Sequence, residues 1–245
     1  MKNVSALIFG YNEYSFEIAK NILYKYNDVH IFKLNDDVDE LQHIDNMENF
    51  SINSFDLSDE WDDIKQKYDL QKSVIFCTLK DDAQNMFLTI SLRASFAEAT
   101  IIALSKNKES ASKLTLAGAN KVIPLVQTTA GMIADMLEKP IVTSVLHNIL
   151  YENSDLKIAQ IMVSNKNIFK GKYISDIEWS KDYGIIVLSV TKKDMSSSFI
   201  YSTKTKHHFI SCGDLFVVVG YENDIVEFEK LIGGRCDVDW SSWSW

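Results

Sequence analysis

Long apolar runs are what this sequence most clearly lacks. Across its 245 residues no stretch approaches the roughly 18 to 20 consecutive apolar residues that a membrane-crossing helix needs. The first residues, MKNVSALIFG, pass straight into a strand-like segment without a cleavage-site pattern, so the expectation is a chain that works in water. Cysteine is scarce as well. Cys77, Cys212 and Cys236 are odd in number, far apart and outside any CxxC or Cys/His spacing. That pattern excludes a disulfide framework and a zinc site, fits a reducing cytoplasm, and predicts that the thiols behave as small buried hydrophobes. Basic residues are absent from one whole region. Between Leu34 and Ile64 there are 11 acidic residues and no Lys or Arg, within a net charge of −9. Such a surface repels phosphate backbones and anionic lipid, which argues against nucleic-acid binding and electrostatic membrane docking. The plain reading of the run is a solvated acidic face, and the sharper one a cation site using Asp56, Asp59, Asp62 and Asp63.

What is present is a regular alternation. An apolar run, Val4 to Phe9, ends in Gly10 and is followed by Phe16, Ile18, Ala19, Ile22 and Leu23 at helical spacing. Further strands are expected at Val29–Phe32, Phe50–Ile52, Val74–Cys77, Thr100–Leu104 and Lys121–Ile123. Helices are expected between them at Val38–His43, Glu60–Tyr68, Asp82–Phe96 and Glu109–Leu116, the last closed by Gly118. Repeated βα units of this kind predict an α/β fold with a Rossmann-like, doubly wound parallel sheet. From Leu125 to Leu150 the composition is helical, but Pro140 divides it into a helix ending near Glu138 and a second from about Ile141. Ile133, Met136, Leu137, Ile141, Val145, Leu146 and Ile149 form an apolar stripe along these helices. A bridging helix must bury such a stripe somewhere, either in core packing or against another copy of the chain. Beyond Asn153 the texture becomes β-rich, at Ile158–Val163, Tyr183–Val190, Phe199–Tyr201 and Leu215–Val219, with one helix at Asp224–Leu231. The expected division is residues 1–124 as an N-lobe, 125–153 as crossover helices, 154–234 as a smaller α+β C-lobe, and 235–245 as a Trp-rich tail.

Two pairs of segments carry a family resemblance. VIFCTLKDDAQNMFLTISLRA and ASKLTLAGANKVIP resemble the second half of an RCK (TrkA-N) domain. FKGKYISDIEWSKDYGIIVLSV and SCGDLFVVVGYENDIVEFEKLI resemble a TrkA-C domain, with Gly171, Gly184, Gly213, Asp214 and Gly220 at the turns. The resemblance implies the regulatory part of a potassium channel or of a Ktr/Trk-type uptake system, without catalytic activity. It further implies homodimers, an eight-lobed gating ring, a membrane pore as partner and a cytoplasmic location at the inner face of the membrane. A separate soluble gating subunit and a ligand-free oligomerisation scaffold are the alternatives. A dehydrogenase is disfavoured, because it would need an intact phosphate turn and acid/base residues in a substrate domain.

The same resemblance names effectors to look for: a nucleotide (NAD or ADP/ATP) and calcium. A dinucleotide turn should read GxGxxG, so that backbone amides approach a pyrophosphate at a helix N-terminus. Here it reads GYNEYS: Gly10 is kept, Asn12 and Ser15 replace the other glycines, and Glu13 sets a negative charge where the anion would sit. Asn is expected to tolerate a left-handed conformation there. After the second strand Lys33 stands where an acid for ribose hydroxyls is usual, with Asp36 and Asp37 following; after the fifth, Leu104 stands where an arginine is common. The ligand set expected is Gly10, Tyr11, Asn12, Glu13, Ser15, Lys33, Thr78, Lys80 and Asn85. Arg93 is expected to serve a helix end or an interface. The calcium carboxylates of calcium-gated relatives are replaced by Ser105, Lys106, Asn107 and Lys108. His207 and His208 read as exposed loop histidines with no third ligand nearby.

Overall fold

The structure is a computed structural model that describes residues 5–36, 49–58, 61–69, 73–151, 155–191, 197–199 and 208–233. The chain divides into two units, one reaching Ala134 and the other beginning at Asp135. In the first, β1 (Ser5–Phe9), β2 (Asp28–Leu34), β3 (Phe50–Phe55), β4 (Val74–Cys77), β5 (Thr100–Ser105) and β6 (Lys121–Pro124) form one parallel sheet in the order β3-β2-β1-β4-β5-β6. The connecting helices are α1 (Glu13–Ile22), α2 (Asp62–Lys67), α3 (Asp82–Ser95) and α4 (Lys108–Leu116). All five residues of β1 are buried, as expected of a central parallel strand covered on both faces. Ala6 and Ile8 join Phe16 and Ala19 of α1 on one face. Leu7 and Phe9 join Leu88 and Leu92 of α3 and Leu114 of α4 on the other. There Phe9 stacks on Phe32 at 4.6 Å between ring centroids and meets Trp61 edge-on at 5.5 Å. Such aromatic pairs add roughly 0.5–1.5 kcal/mol beyond the area they bury.

The second unit packs an antiparallel sheet from β7 (Leu156–Met162), β8 (Ile185–Thr191), β9 (Ser197–Phe199) and β10 (Leu215–Tyr221), ordered β7-β10-β8-β9. Its core gathers Phe169, Trp179 of α7 (Trp179–Tyr183), Phe216 and Phe228 of α8 (Glu222–Ile232). In chain order, α5 (Leu125–Glu138) and α6 (Pro140–Tyr151) follow β6 and precede β7. Pro140 is the first residue of α6, where its missing N–H is tolerated. The division between the units falls at Ala134, inside α5 and within the expected crossover segment 125–153. β8 begins two residues later than expected, because Trp179–Tyr183 is helical. The expected helix Val38–His43 lies outside the described residues, as do Tyr201 and the Trp-rich tail. Gly118 sits one residue beyond the α4 cap, Ala117, and its φ of 107° is one that a side chain would resist.

Candidate functional site

The strand order reverses between β1 and β4, and that switch point opens a crevice at the carboxyl ends of the strands. Its floor is a network of buried polar groups. Gly10 leaves β1 with φ 135°, and its N–H donates to Phe32 O at 2.8 Å. A Cβ at Gly10 would lie 2.4 Å from Thr78 Oγ1 and 2.9 Å from the Thr78 carbonyl, so the glycine is required by contact as well as by conformation. Thr78 donates its N–H and its hydroxyl to Phe9 O, at 2.8 and 2.9 Å. Asn12 donates Nδ2–H to Thr78 O at 2.7 Å and accepts from Ser15 N at 3.2 Å, which caps α1. The Ser15 and Thr78 hydroxyls share a hydrogen bond of 2.9 Å. The β1–α1 turn is thereby latched to the end of β4.

Asn85 extends the floor to β5. Its Oδ1 accepts from Leu79 N at 3.1 Å, while Nδ2 donates to Leu104 O at 2.9 Å and Cys77 O at 3.3 Å. Above the floor is a cavity of about 830 Å³ lined by Tyr11, Asn12, Glu13, Tyr14, Asp36, Thr78, Leu79, Lys80, Asp82, Leu104, Ser105, Lys106, Leu125 and Val126. Tyr11 packs edge-on against Phe16 at 5.2 Å, and Lys33 Nζ lies 5.4 Å from the Tyr11 ring centroid. Asp82 accepts from the Ser110 hydroxyl at 2.7 Å.

Of the nine expected ligand residues, Tyr11, Asn12, Glu13, Thr78 and Lys80 line this cavity. Gly10, Ser15 and Asn85 do not; they are buried beneath it, and Asn85 is a strap between strand ends with its amide fully engaged. Lys33 is not a lining residue either, whereas Asp36, two residues past β2, is. Asn12 is extended (φ −160°, ψ 174°) rather than left-handed: the turn survives because its side chain turns inward and replaces a missing glycine's space with hydrogen bonds. Asp36, Asp82 and Lys106 are charged lining residues outside the expected ligand set. Their position within a few residues of the ends of β2, β4 and β5 was the available signal.

The other candidates resolve differently. Asp56 accepts from Ser58 N at 2.8 Å and from the Ser58 hydroxyl at 2.6 Å, and these bonds hold its carboxyl below the usual range. Asp62 and Asp63 open α2, Asp59 lies outside the described residues, and among the described residues no three acidic, His or Cys side chains group as a metal site. Arg93 is a clamp at the α3 end: its guanidinium donates to Gly118 O at 2.9 Å, Ala97 O at 2.6 Å and Asn120 Oδ1. His208 is not an exposed loop histidine, because its Nε2 lies 2.7 Å from Oδ2 of buried Asp214. Its neighbour His207 lies outside the described residues. Burial pushes the Cys77 thiol up to about 12, while Cys212, expected to be buried, is exposed; Cys236 lies outside the described residues. Along α5 and α6, Ile133, Met136, Leu137, Ile141, Val145 and Leu146 are exposed and Ile149 is half-buried.

Comparison with known proteins places these observations. Residues 6–125 match the TrkA-N domain. The chain is 23% identical over 176 residues to Potassium channel protein 1 of Methanocaldococcus jannaschii, covering 71% of this chain and 51% of that protein. It is 24% identical over 174 residues to Probable potassium channel protein 2 of the same organism, covering 69% and 49%. The chain thus spans about half the length of the curated relatives it matches. Among solved structures, the human SLO3 gating ring shares its fold with a TM-score of 0.64 at 12% identity, over 91% of this chain and 45% of that one. Among the described residues no helix is long and apolar enough to cross a membrane.

Proposed function

The chain carries a TrkA-N domain over residues 6–125, and from that premise we propose that it is the cytoplasmic regulatory part of a potassium channel, with the crevice at the β1–β4 switch point as its effector site. The observation that carries this is the coincidence of the family match with a cavity of about 830 Å³ at the position where the fold takes ligands. The names of the two curated relatives support the potassium context. In this reading the second unit is the TrkA-C lobe, and copies of the chain associate through the apolar stripe of α5 and α6. An effector that binds one ring geometry ten times more tightly than another moves the gating equilibrium by about 1.4 kcal/mol per site, by coupling and without catalysis. The nearest variant of the reading is the same domain acting as a separate subunit on a transporter of the Ktr/Trk kind.

Thermal unfolding with NAD, NADH, ADP, ATP, calcium, magnesium and sodium, each at fixed protein concentration, tests the effector site. A ligand at 100 times its dissociation constant adds about 2.7 kcal/mol of stability. Light scattering tests assembly, with at least a dimer expected at micromolar concentration. No shift with any ligand together with a strict monomer would overturn the proposal.

A further inference from the structure

Part of the donor set that this fold ordinarily offers to a phosphate is already engaged. Three helices begin at the rim of the crevice, and each is capped by its own N-cap side chain. Asn12 accepts from Ser15 N on α1, Asp81 accepts from Ala83 N and Gln84 N on α3, and Asn107 accepts from Ser110 N on α4. Glu13 adds a full negative charge in the first turn of α1, where a pyrophosphate would rest. The cations are elsewhere. Among the described residues the cationic side chains lining the cavity are Lys80, after β4, and Lys106, after β5. The carboxylates on the other side are Glu13, after β1, and Asp36, after β2. Asp82 also lines the lysine side, its carboxylate accepting from the Ser110 hydroxyl, so that side carries two cations and one carboxylate against two carboxylates opposite.

The strand order turns this into a spatial statement. With strands β2-β1-β4-β5 adjacent in that order and spaced by about 4.8 Å, the strand end that carries Asp36 lies roughly 10 to 14 Å along the crevice from those that carry the lysines, while the one that leads to Glu13 is a single spacing from the one that leads to Lys80. A ligand matched to that polarity carries its anion at one end only. Carboxylates accept from vicinal hydroxyls, as at a ribose, and two lysines on flexible stems suit a phosphate as point charges. A second phosphate placed toward α1 would face Glu13 and a capped helix end.

We infer that the crevice takes a phosphate monoester of a hydroxylated core, such as a nucleoside monophosphate or a sugar phosphate, with the phosphate on Lys80 and Lys106 and the hydroxyls toward Asp36. This rests on the effector-site reading and makes it specific: the anion position has moved from the α1 N-terminus to the β4 and β5 turns. Such a ligand discriminates against diphosphates and dinucleotides, which the glycine-rich form of the turn would accept.

Titration calorimetry of the full chain at fixed salt, using AMP, ribose 5-phosphate, adenosine, ADP and NAD, is the test. AMP or ribose 5-phosphate is expected to bind at least as tightly as ADP and NAD, and adenosine at least tenfold more weakly than AMP. AMP binding without ribose 5-phosphate binding assigns the ligand to nucleotides, and equal binding assigns it to sugar phosphates. Lys80→Gln and Lys106→Gln should each weaken the monoester about tenfold with unchanged melting temperature, and Glu13→Gln should improve ADP more than AMP. Tighter binding of ADP or NAD than of AMP, or lysine variants that bind AMP as wild type does, would overturn the inference while leaving the effector site standing. Silence with all five probes, alongside a shift by another member of the thermal panel, overturns the inference alone; silence throughout both sets removes the effector site as well.

Discussion

The floor and the rim of the crevice are built from different material. Gly10, Asn12, Ser15, Thr78 and Asn85 are buried, and the hydrogen bonds of the four side chains tie β1, β4 and β5 together. Glu13, Asp36, Lys80 and Lys106 are exposed and line the cavity. The floor resembles a ligand site in residue type, yet its polar atoms answer to one another. What it teaches is that residue type alone does not tell the polar residues that hold the turns from those at the rim, and that Asn12 and Thr78 hold the turns while also lining the cavity.

That contrast can be broken by substitution. The largest effect is expected for Gly10→Ala, because the new Cβ would lie 2.4 Å from Thr78 Oγ1 at a φ of 135°. A loss of about 3 kcal/mol in urea unfolding is expected. Asn85→Ala should follow at about 2 kcal/mol, since it removes the partner of the buried Leu79 N–H and of two strand-end carbonyls. Asn12→Ala removes a cap and the tie to Thr78, and about 1 kcal/mol is expected. If any of the three leaves stability untouched, the floor is not the structural layer described. At the rim, Lys80→Gln and Lys106→Gln should stay within about 0.5 kcal/mol of wild type while changing ligand affinity, which is the opposite signature.

His30 provides a control that belongs to neither layer. Its Nδ1 meets the Ser51 hydroxyl at 2.7 Å across β2 and β3, and its ring lies 4.8 Å from Tyr68. Burial, reinforced by Lys67, lowers its pKa, so the fold favours the neutral ring. The stabilisation is therefore complete above the unfolded value near 6.5 and is lost as pH falls through that value and below. Between pH 7 and pH 5, wild type should lose more stability than His30→Gln, with the smallest amplitude of the set. Equal slopes of the urea midpoint against pH would contradict it.

The sheet was readable from the sequence because its information is local. Apolar runs spaced by helical segments fix parallel βα units, Gly10 ends β1, and Pro140 divides α5 from α6. The site was readable only to the level of position. GYNEYS told that the glycine turn was altered, but the direction of the Asn12 side chain is set by Thr78, 66 residues away. Asn85 and Lys80 belong to one loop-and-helix segment, and tertiary contacts send the first inward and leave the second at the rim. His208 looked like a loop residue because its partner Asp214 is held by the far side of a turn.

Hydrogen exchange of the full chain with and without saturating AMP tests the effector site most directly. The account predicts protection concentrated at residues 11–15, 78–82 and 104–107, with the exchange of 174–187 unchanged. Protection confined to 174–187, or no change at the crevice in a sample that binds AMP by calorimetry, would contradict it.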